Sequence, residues 1–321
     1  MSQLPAVAET ENLLAEIAPD LAAAVGYAKA EKSAATRRAY GTDFRLFQAW
    51  CDAKGVGALP ASAETIAAYL AHGAGEGAKA STLGRRVAAI RYAHKLASLP
   101  TPTDSEKVKA TLRGIRRTIG AAKVKKAPAV VDRLKAMVRF CPDTLAGKRD
   151  RALILLGFGG AFRRSELVAL DVEHLDESAE GLRVHIGRSK TDQEGEGVTI
   201  AIARGSSDAC PVRALREWLD AADIESGPIF RPINKAGVVG AERLTSQSVA
   251  LIVKAHAERA GLDAKQFAGH SLRAGFLTSA AAAGKSIFKR MDQSRHKSVD
   301  TLRDYVRDAE LFKDHAGAGL L

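Results

Sequence analysis

The sequence predicts a mainly α protein with a small β-sheet, built as two modules. Three observations predict it. Apolar residues recur at helical spacing through most of the 321-residue chain, only two short segments alternate apolar with polar or small residues, and all periodicity is lost between residues 120 and 130. Single cores stop growing near ~250–300 residues, so two domains are expected on length alone.

Residues 1–30 are rich in Ala and Glu and read as a flexible segment or a loose leading helix. From Thr36 a helix is predicted because Tyr40, Phe44, Phe47 and Cys51 form one apolar stripe, which Gly55 and Gly57 end. Pro60 and Ser62 open a second helix with Ile66, Tyr69 and Leu70 facing inward, closed by Gly73 to Gly77. A third begins near Ser81, with Leu83, Val87, Ile90 and His94 on one face, and a fourth runs from about Ser105 to Ile119. The first module, residues 31–119, is therefore a small helical bundle. Residues 120–130 mix Gly, Pro and Lys and are read as an exposed linker.

The second module, residues 131–321, opens with helical patterns at about 131–140 and 147–158. Leu182 to Ile186 and Val198 to Ile202 alternate around a loop rich in Gly, Asp and Glu, which predicts a hairpin. Helical patterns return at about 211–222, 245–260, 271–283, 286–292 and 299–309.

A hydrophobic content of 46% with 26% charged residues is that of an ordinary globular chain. Neither a leader-like N-terminus nor an apolar run of ~18 residues is present, so a cytoplasmic location and no membrane partner are expected. Cys51, Cys141 and Cys210 lie far apart, which predicts reduced, buried thiols and neither a zinc site nor a disulfide framework.

The net charge of +11 points to a polyanionic partner. Residues 79–126 hold 13 Lys and Arg against 2 Asp and Glu, so one short stretch equals the excess of the whole chain. Arg85, Arg86, Arg91 and Lys95, then Lys107, Lys109, Arg113, Arg116 and Arg117, recur there among apolar residues. Such a run also describes a solvated helix face; its concentration in one segment favours a phosphate-contacting surface.

Tyr305 is the only tyrosine downstream of residue 130, and it follows His270, Arg273 and His296. Breaking and rejoining a phosphodiester without hydrolysis requires a covalent nucleophile, neutralisation of phosphate charge and a proton donor for the leaving oxygen. Tyr305 and these cations supply that set. His270 and Arg273 stand three apart at a helix start and so share a face, at a helix end that favours anions. Arg163 follows a glycine-rich turn and precedes Glu166, and Lys190 sits at the hairpin tip. Taken singly, each has a plainer description: a chance surface pair for His270 and Arg273, a helix-start salt bridge for Arg163 and Glu166, a half-buried core tyrosine beside Leu302 for Tyr305.

Taken together, Phe162-Arg-Arg-Ser-Glu-Leu167, Lys190 in a hairpin, His270-Ser-Leu-Arg273, His296 and Tyr305 resemble the tyrosine recombinases and phage-type integrases, over nearly the whole chain. The resemblance implies a helical core-binding domain and an α+β catalytic domain, placed on opposite sides of a DNA duplex. It implies a site-specific DNA recombinase that cleaves and rejoins strands through a 3′-phosphotyrosyl link, acting as a dimer per site and a tetramer in synapsis of paired half-sites. Arg163, Lys190, His270, Arg273, His296 and Tyr305 become the catalytic set, with Glu166 in support and Arg85, Arg86, Arg91, Lys95, Arg113, Arg116 and Arg117 on DNA. No cofactor and no metal are expected. The short N-terminal segment leaves no room for the arm-binding domain of some integrases, so the likeness is to the simple Cre-like or Xer-like recombinases. One position departs from the pattern: the histidine before the nucleophile usually follows glycine, and here Arg295 precedes His296. A DNA-binding protein that kept the fold without the reaction, a type IB topoisomerase-like relaxing enzyme and, last, an RNA-binding helical protein are the alternatives.

Overall fold

A computed structural model describes residues 17–120, 126–187 and 197–306. The chain divides into two compact units, 1–124 and 125–321.

The first unit contains α1 (Ala18–Ala30), α2 (Ala34–Lys54), α3 (Ala63–Gly75), α4 (Ala80–Leu96) and α5 (Glu106–Ile119). Hydroxyl caps fix three of the starts: Ser33, Ser62 and Ser105 accept from the backbone N–H of Thr36, Thr65 and Val108. Gly55, at φ 66°, ends α2 in the left-handed conformation that suits glycine. α2 packs on α4 and α3 on α5 around Phe47, Cys51, Ile66, Tyr69, Leu70, Leu83, Ile90 and Val108. His94 belongs to this core: it is fully buried, with Nδ1 2.8 Å from the carbonyl of Ile90 and Nε2 accepting from the Ala61 N–H at 3.0 Å.

The second unit holds α6 (Val131–Arg139), α7 (Leu145–Gly159), α8 (Arg164–Val168), β1 (Leu175–Glu177), β2 (Gly181–Ile186), β3 (Val198–Ala203), α9 (Pro211–Ala221), α10 (Ser246–Arg259), α11 (His270–Ala282), α12 (Ile287–Ser294) and α13 (Val299–Val306). α7 is its centre. Ala152 to Leu156 are almost wholly buried all round the helix, which α9 and α11 flank. The expected hairpin is the larger part of a three-stranded antiparallel sheet in the order β1-β2-β3, with Leu182 opposite Ile202 and Val184 opposite Ile200. β1 adds Leu175 opposite Val184. The buried side chains of β2 and β3 face the same core as Trp218, whose indole N–H donates to the Ile229 carbonyl at 2.7 Å.

The exposed linker expected over 120–130 does not extend through residues 127–130. Ala129 is fully buried, and the N–H groups of Ala127 and Ala129 donate to the carbonyls of Gln266 and Ser271 at 2.7 and 2.9 Å. Gly275 of α11 permits this approach, because a Cβ there would stand 2.0 Å from the Ala129 carbonyl oxygen. The cysteines are free thiols, but only Cys51 and Cys210 are buried. Cys210 also caps α9, its sulfur accepting from the Gly205 and Arg213 N–H groups, so it is more than an apolar filler. Among the described residues no helix is long and apolar enough to cross a membrane.

Candidate active site

The chain leaves α7 through Gly159-Gly160-Ala161-Phe162. Gly157 makes room for this turn against α11, since a Cβ there would meet Leu272 Cδ1 at 2.8 Å. Ala161 takes φ 45°, and its carbonyl points back towards α11. Arg163 then caps α8. Its backbone N–H donates to Glu166 Oε2 at 2.9 Å and its Nη1 to Oε1 at 2.5 Å. This is the helix-start pair that the sequence allowed, but it is not a surface one: Glu166 is 4% exposed. Burial alone would raise the Glu166 carboxyl; Arg295 and Arg163 outweigh it and hold the group ionised below the usual carboxylate range.

α11 begins at His270, so His270 and Arg273 share a face of its first turn. Arg273 is fully buried, and its Nη1 donates to the Ala161 carbonyl at 2.7 Å. Its Nη2 lies 3.3 Å from Nε2 and 3.4 Å from Nδ1 of His296. Burial, then Arg163 and Arg295, pull the guanidinium down to about 9, which still leaves it cationic at neutral pH. His296 follows α12, its Nδ1 2.7 Å from the Ser294 hydroxyl. Loss of hydration and then the charges of Arg273 and Arg163 push its pKa down to about 3, so the ring is neutral.

α13 packs on α11 and α12 with Leu302 fully buried, and three residues later places Tyr305 beside His270 and His296. The Tyr305 hydroxyl lies 2.6 Å from His270 Nε2. Its ring stands 6.0 Å from the His270 ring and 6.1 Å from the His296 ring, centroid to centroid. Tyr305 is half-buried, as the plainer description has it, but its hydroxyl is hydrogen-bonded to a histidine. Desolvation first, then Arg273, Arg163 and Arg164, lower the His270 pKa below 6.5, which keeps the imidazole neutral at neutral pH. The structure thus gathers Arg163, Glu166, His270, Arg273, His296 and Tyr305, and Lys190 lies outside the described residues. Among those described, no three His, Cys, Asp or Glu side chains are grouped to hold a metal.

The basic residues of the first unit that the sequence places on DNA differ in their partners, and Arg113 combines an ion pair with an exposed position. Arg85 is bidentate on the buried Asp43 at 2.6 and 3.1 Å, Arg91 binds Asp104 and Thr103, Arg86 lies 5.5 Å from the Tyr69 ring centroid, and Arg113 pairs with Glu106. Lys95, Arg116 and Arg117 are exposed without an ion pair to another described residue. With Lys109, the residues Arg113, Arg116 and Arg117 stand at i, i+4, i+7 and i+8, which makes one solvent-facing stripe on α5.

Residues 130–311 match the Phage integrase family, and residues 27–98 match the Phage integrase N-terminal SAM-like domain. An integrase/recombinase XerD homolog of Selenomonas ruminantium is 43% identical over 293 residues, which cover 89% of this chain and 86% of the relative. The chain belongs to the phage integrase family. The Cre recombinase of Escherichia phage P1 is also similar, at 23% identity over 83% of this integrase and 82% of Cre. In fold, this integrase matches the Tn1549 transposon integrase in complex with transposon right-end DNA at a TM-score of 0.61, with 14% identity over 87% of this chain and 93% of that one. It also matches XerH bound to a palindromic difH substrate after cleavage, at 0.56 with 14% identity over 78% and 70% of the two chains.

The sequence reading of this integrase missed Arg295. Its backbone is left-handed, at φ 57° and ψ 42°, which explains the glycine usual at this position. The arginine here is buried, with Nη2 2.7 Å from Glu166 Oε2 and 3.0 Å from the Ala161 carbonyl. The available signal was the departure itself, a long charged side chain where the pattern has none.

Proposed function

We propose that this chain is a site-specific DNA recombinase that exchanges strands through Tyr305. The phenolic oxygen attacks a backbone phosphorus and displaces the 5′-oxygen, giving a 3′-phosphotyrosyl link and a free 5′-hydroxyl. The tyrosine proton passes to His270 Nε2, and Lys190 returns a proton to the departing oxygen. Attack by another strand's 5′-hydroxyl reverses both steps and restores the phenol. Energy is conserved in the covalent link, so no cofactor is consumed.

Arg163 and Arg273 act as the clamp on the non-bridging oxygens, since planar guanidinium forks fit phosphate and remain charged. His296, 3.3 Å from Arg273 Nη2, supports that clamp. Glu166 orients the clamp and does not react. The stripe Lys109, Arg113, Arg116 and Arg117, with Lys95, is the part of the first unit we assign to DNA; Arg85, Arg86 and Arg91 serve the bundle itself. Relatives of like fold have been captured on DNA, XerH after cleavage and the lambda integrase as a dimer on a core site. We carry to this chain the same partner, duplex DNA with paired half-sites, with dimers on each site and a tetramer in synapsis, working in the cytoplasm.

The observation that carries this reading is the 2.6 Å approach of His270 Nε2 to the Tyr305 hydroxyl beside the buried Arg273. Genomic fragments retained by the Tyr305→Phe chain supply the duplex for the test. With a nick placed so that the cleaved strand cannot be religated, the parent should form a covalent protein–DNA adduct on a denaturing gel, and Tyr305→Phe should bind equally and form none. Binding without an adduct by the parent leaves a DNA-binding protein; relaxation of supercoils without joining of two sites leaves a topoisomerase-like enzyme.

A further inference from the structure

We infer that Arg295 is a positioning residue, which holds the guanidiniums of Arg163 and Arg273 in register and keeps Arg163 electropositive. The inference rests on the reading of those two arginines as the phosphate clamp. Arg295 is not itself available to a phosphate, because both of its Nη atoms are each committed to two protein acceptors. Its Nη1 donates to the Gly160 and Gln293 carbonyls at 3.0 and 2.6 Å, and its Nη2 to the Ala161 carbonyl and to Glu166. The guanidinium carbon sits 5.2 Å from the Phe162 ring centroid.

Two of these acceptors are shared with the clamp. The Ala161 carbonyl takes hydrogen bonds from Arg273 Nη1 and from Arg295 Nη2. Glu166 takes Arg163 on one oxygen and, on the other, Arg295 and the Arg163 backbone N–H. Arg295 thereby ties the turn after α7, which aims Arg273, to the first turn of α8, which carries Arg163. Charge follows the same geometry. Arg163, Arg273, Arg295 and Glu166 together carry two net positive charges; without Arg295 one remains, and Glu166 is left to neutralise Arg163 alone. Charge drawn from Arg163 by its own neighbour is lost to a phosphate.

The test uses the full chain and the nicked duplex described above, with adduct formation followed in single turnover at saturating protein, DNA affinity by gel shift, and thermal unfolding. Arg295→Gly suits the left-handed backbone and removes only the side chain. Its adduct rate should fall about 10- to 100-fold, by analogy with the partners that orient metal ligands, with affinity unchanged. Adding Glu166→Gln to Arg295→Gly removes the uncompensated carboxylate and should recover the rate severalfold, whereas a purely structural role predicts a further loss. Arg295→Lys keeps the buried charge without the fork; a rate below the parent at equal affinity supports the inference even if the glycine variant does not fold. A parent-like rate in a folded Arg295→Gly or Arg295→Lys chain, or a double variant slower than Arg295→Gly, overturns it. A parent that forms no adduct overturns the function and this inference with it.

Discussion

The Nε2 atom of His270 lies 2.6 Å from the hydroxyl of Tyr305, across 35 residues of sequence. With Tyr305 as nucleophile the phenol is the donor in this contact, which takes a neutral imidazole with Nε2 unprotonated. Desolvation and the surrounding arginines place the His270 pKa below 6.5. Falling pH protonates Nε2 and abolishes the acceptor, so the adduct-forming rate should be level from pH 8 to neutrality and decline only on the acid side, with an apparent pKa under 6.5. Single-turnover cleavage across pH checks this; a decline centred above that value would remove His270 as the base.

Much of this site was legible in the sequence because its residues mark element ends. Arg163 sits where a glycine-rich turn meets a helix, and His270 with Arg273 open another. Burial and pairing were not legible. Arg85 pairs with Asp43 and Arg91 with Asp104, and those pairings span 42 and 13 residues. β1 has only three residues, too few for alternation to register. The docking of residues 127–130 left no periodic trace, its one signal being the missing side chain at Gly275.

Arg273→Lys should lower the adduct rate by ~10²–10³, by analogy with other preorganised charge stabilisers. A lysine keeps the charge but cannot hold the Ala161 carbonyl and a phosphate oxygen with one planar fork. DNA affinity should change little, so rate and gel shift separate the roles. Equal losses in both would make Arg273 a binding residue only.

The basic residues of the first unit should respond differently to salt according to their partners. Each phosphate contact contributes ~0.9 to the slope of log affinity against log salt, so Arg116→Ala and Arg117→Ala should each reduce that slope by up to about this amount. Arg85→Ala strands the carboxylate of Asp43, which is 3% exposed, and should lower thermal stability and leave the slope in place. Titrations at several salt concentrations, with melting curves, distinguish them.

In the mechanism proposed above, charge at the reacting phosphate is met by guanidinium groups on fixed backbone. Two-metal phosphoryl transfer calls for clustered carboxylates, and among the described residues of the site the carboxylate is Glu166, already engaged by Arg163 and Arg295. Cleavage should therefore proceed at an unchanged rate after dialysis against EDTA. Loss on chelation with recovery on adding magnesium would contradict the assignment of the clamp.

Gly275→Ala tests whether the segment before α6 helps to hold the site. Within a helix this exchange ordinarily stabilises by up to ~1 kcal/mol, through backbone entropy and propensity. Here the new Cβ would stand 2.0 Å from the oxygen and 2.4 Å from the carbon of the Ala129 carbonyl, and backbone atoms yield far less readily than a side-chain tip. Overpacking of this kind typically costs ~1–3 kcal/mol, enough to reverse the sign. For a chain of this size each kcal/mol moves the melting point by a few degrees, on the order of 2–4 °C. Ala129 also donates to the Ser271 carbonyl in the first turn of α11, between His270 and Arg273, so displacing it should slow adduct formation as well as lower the melting temperature. A variant that melts higher than the parent would mean that residues 127–130 leave α11 readily and contribute nothing to the placement of His270 and Arg273.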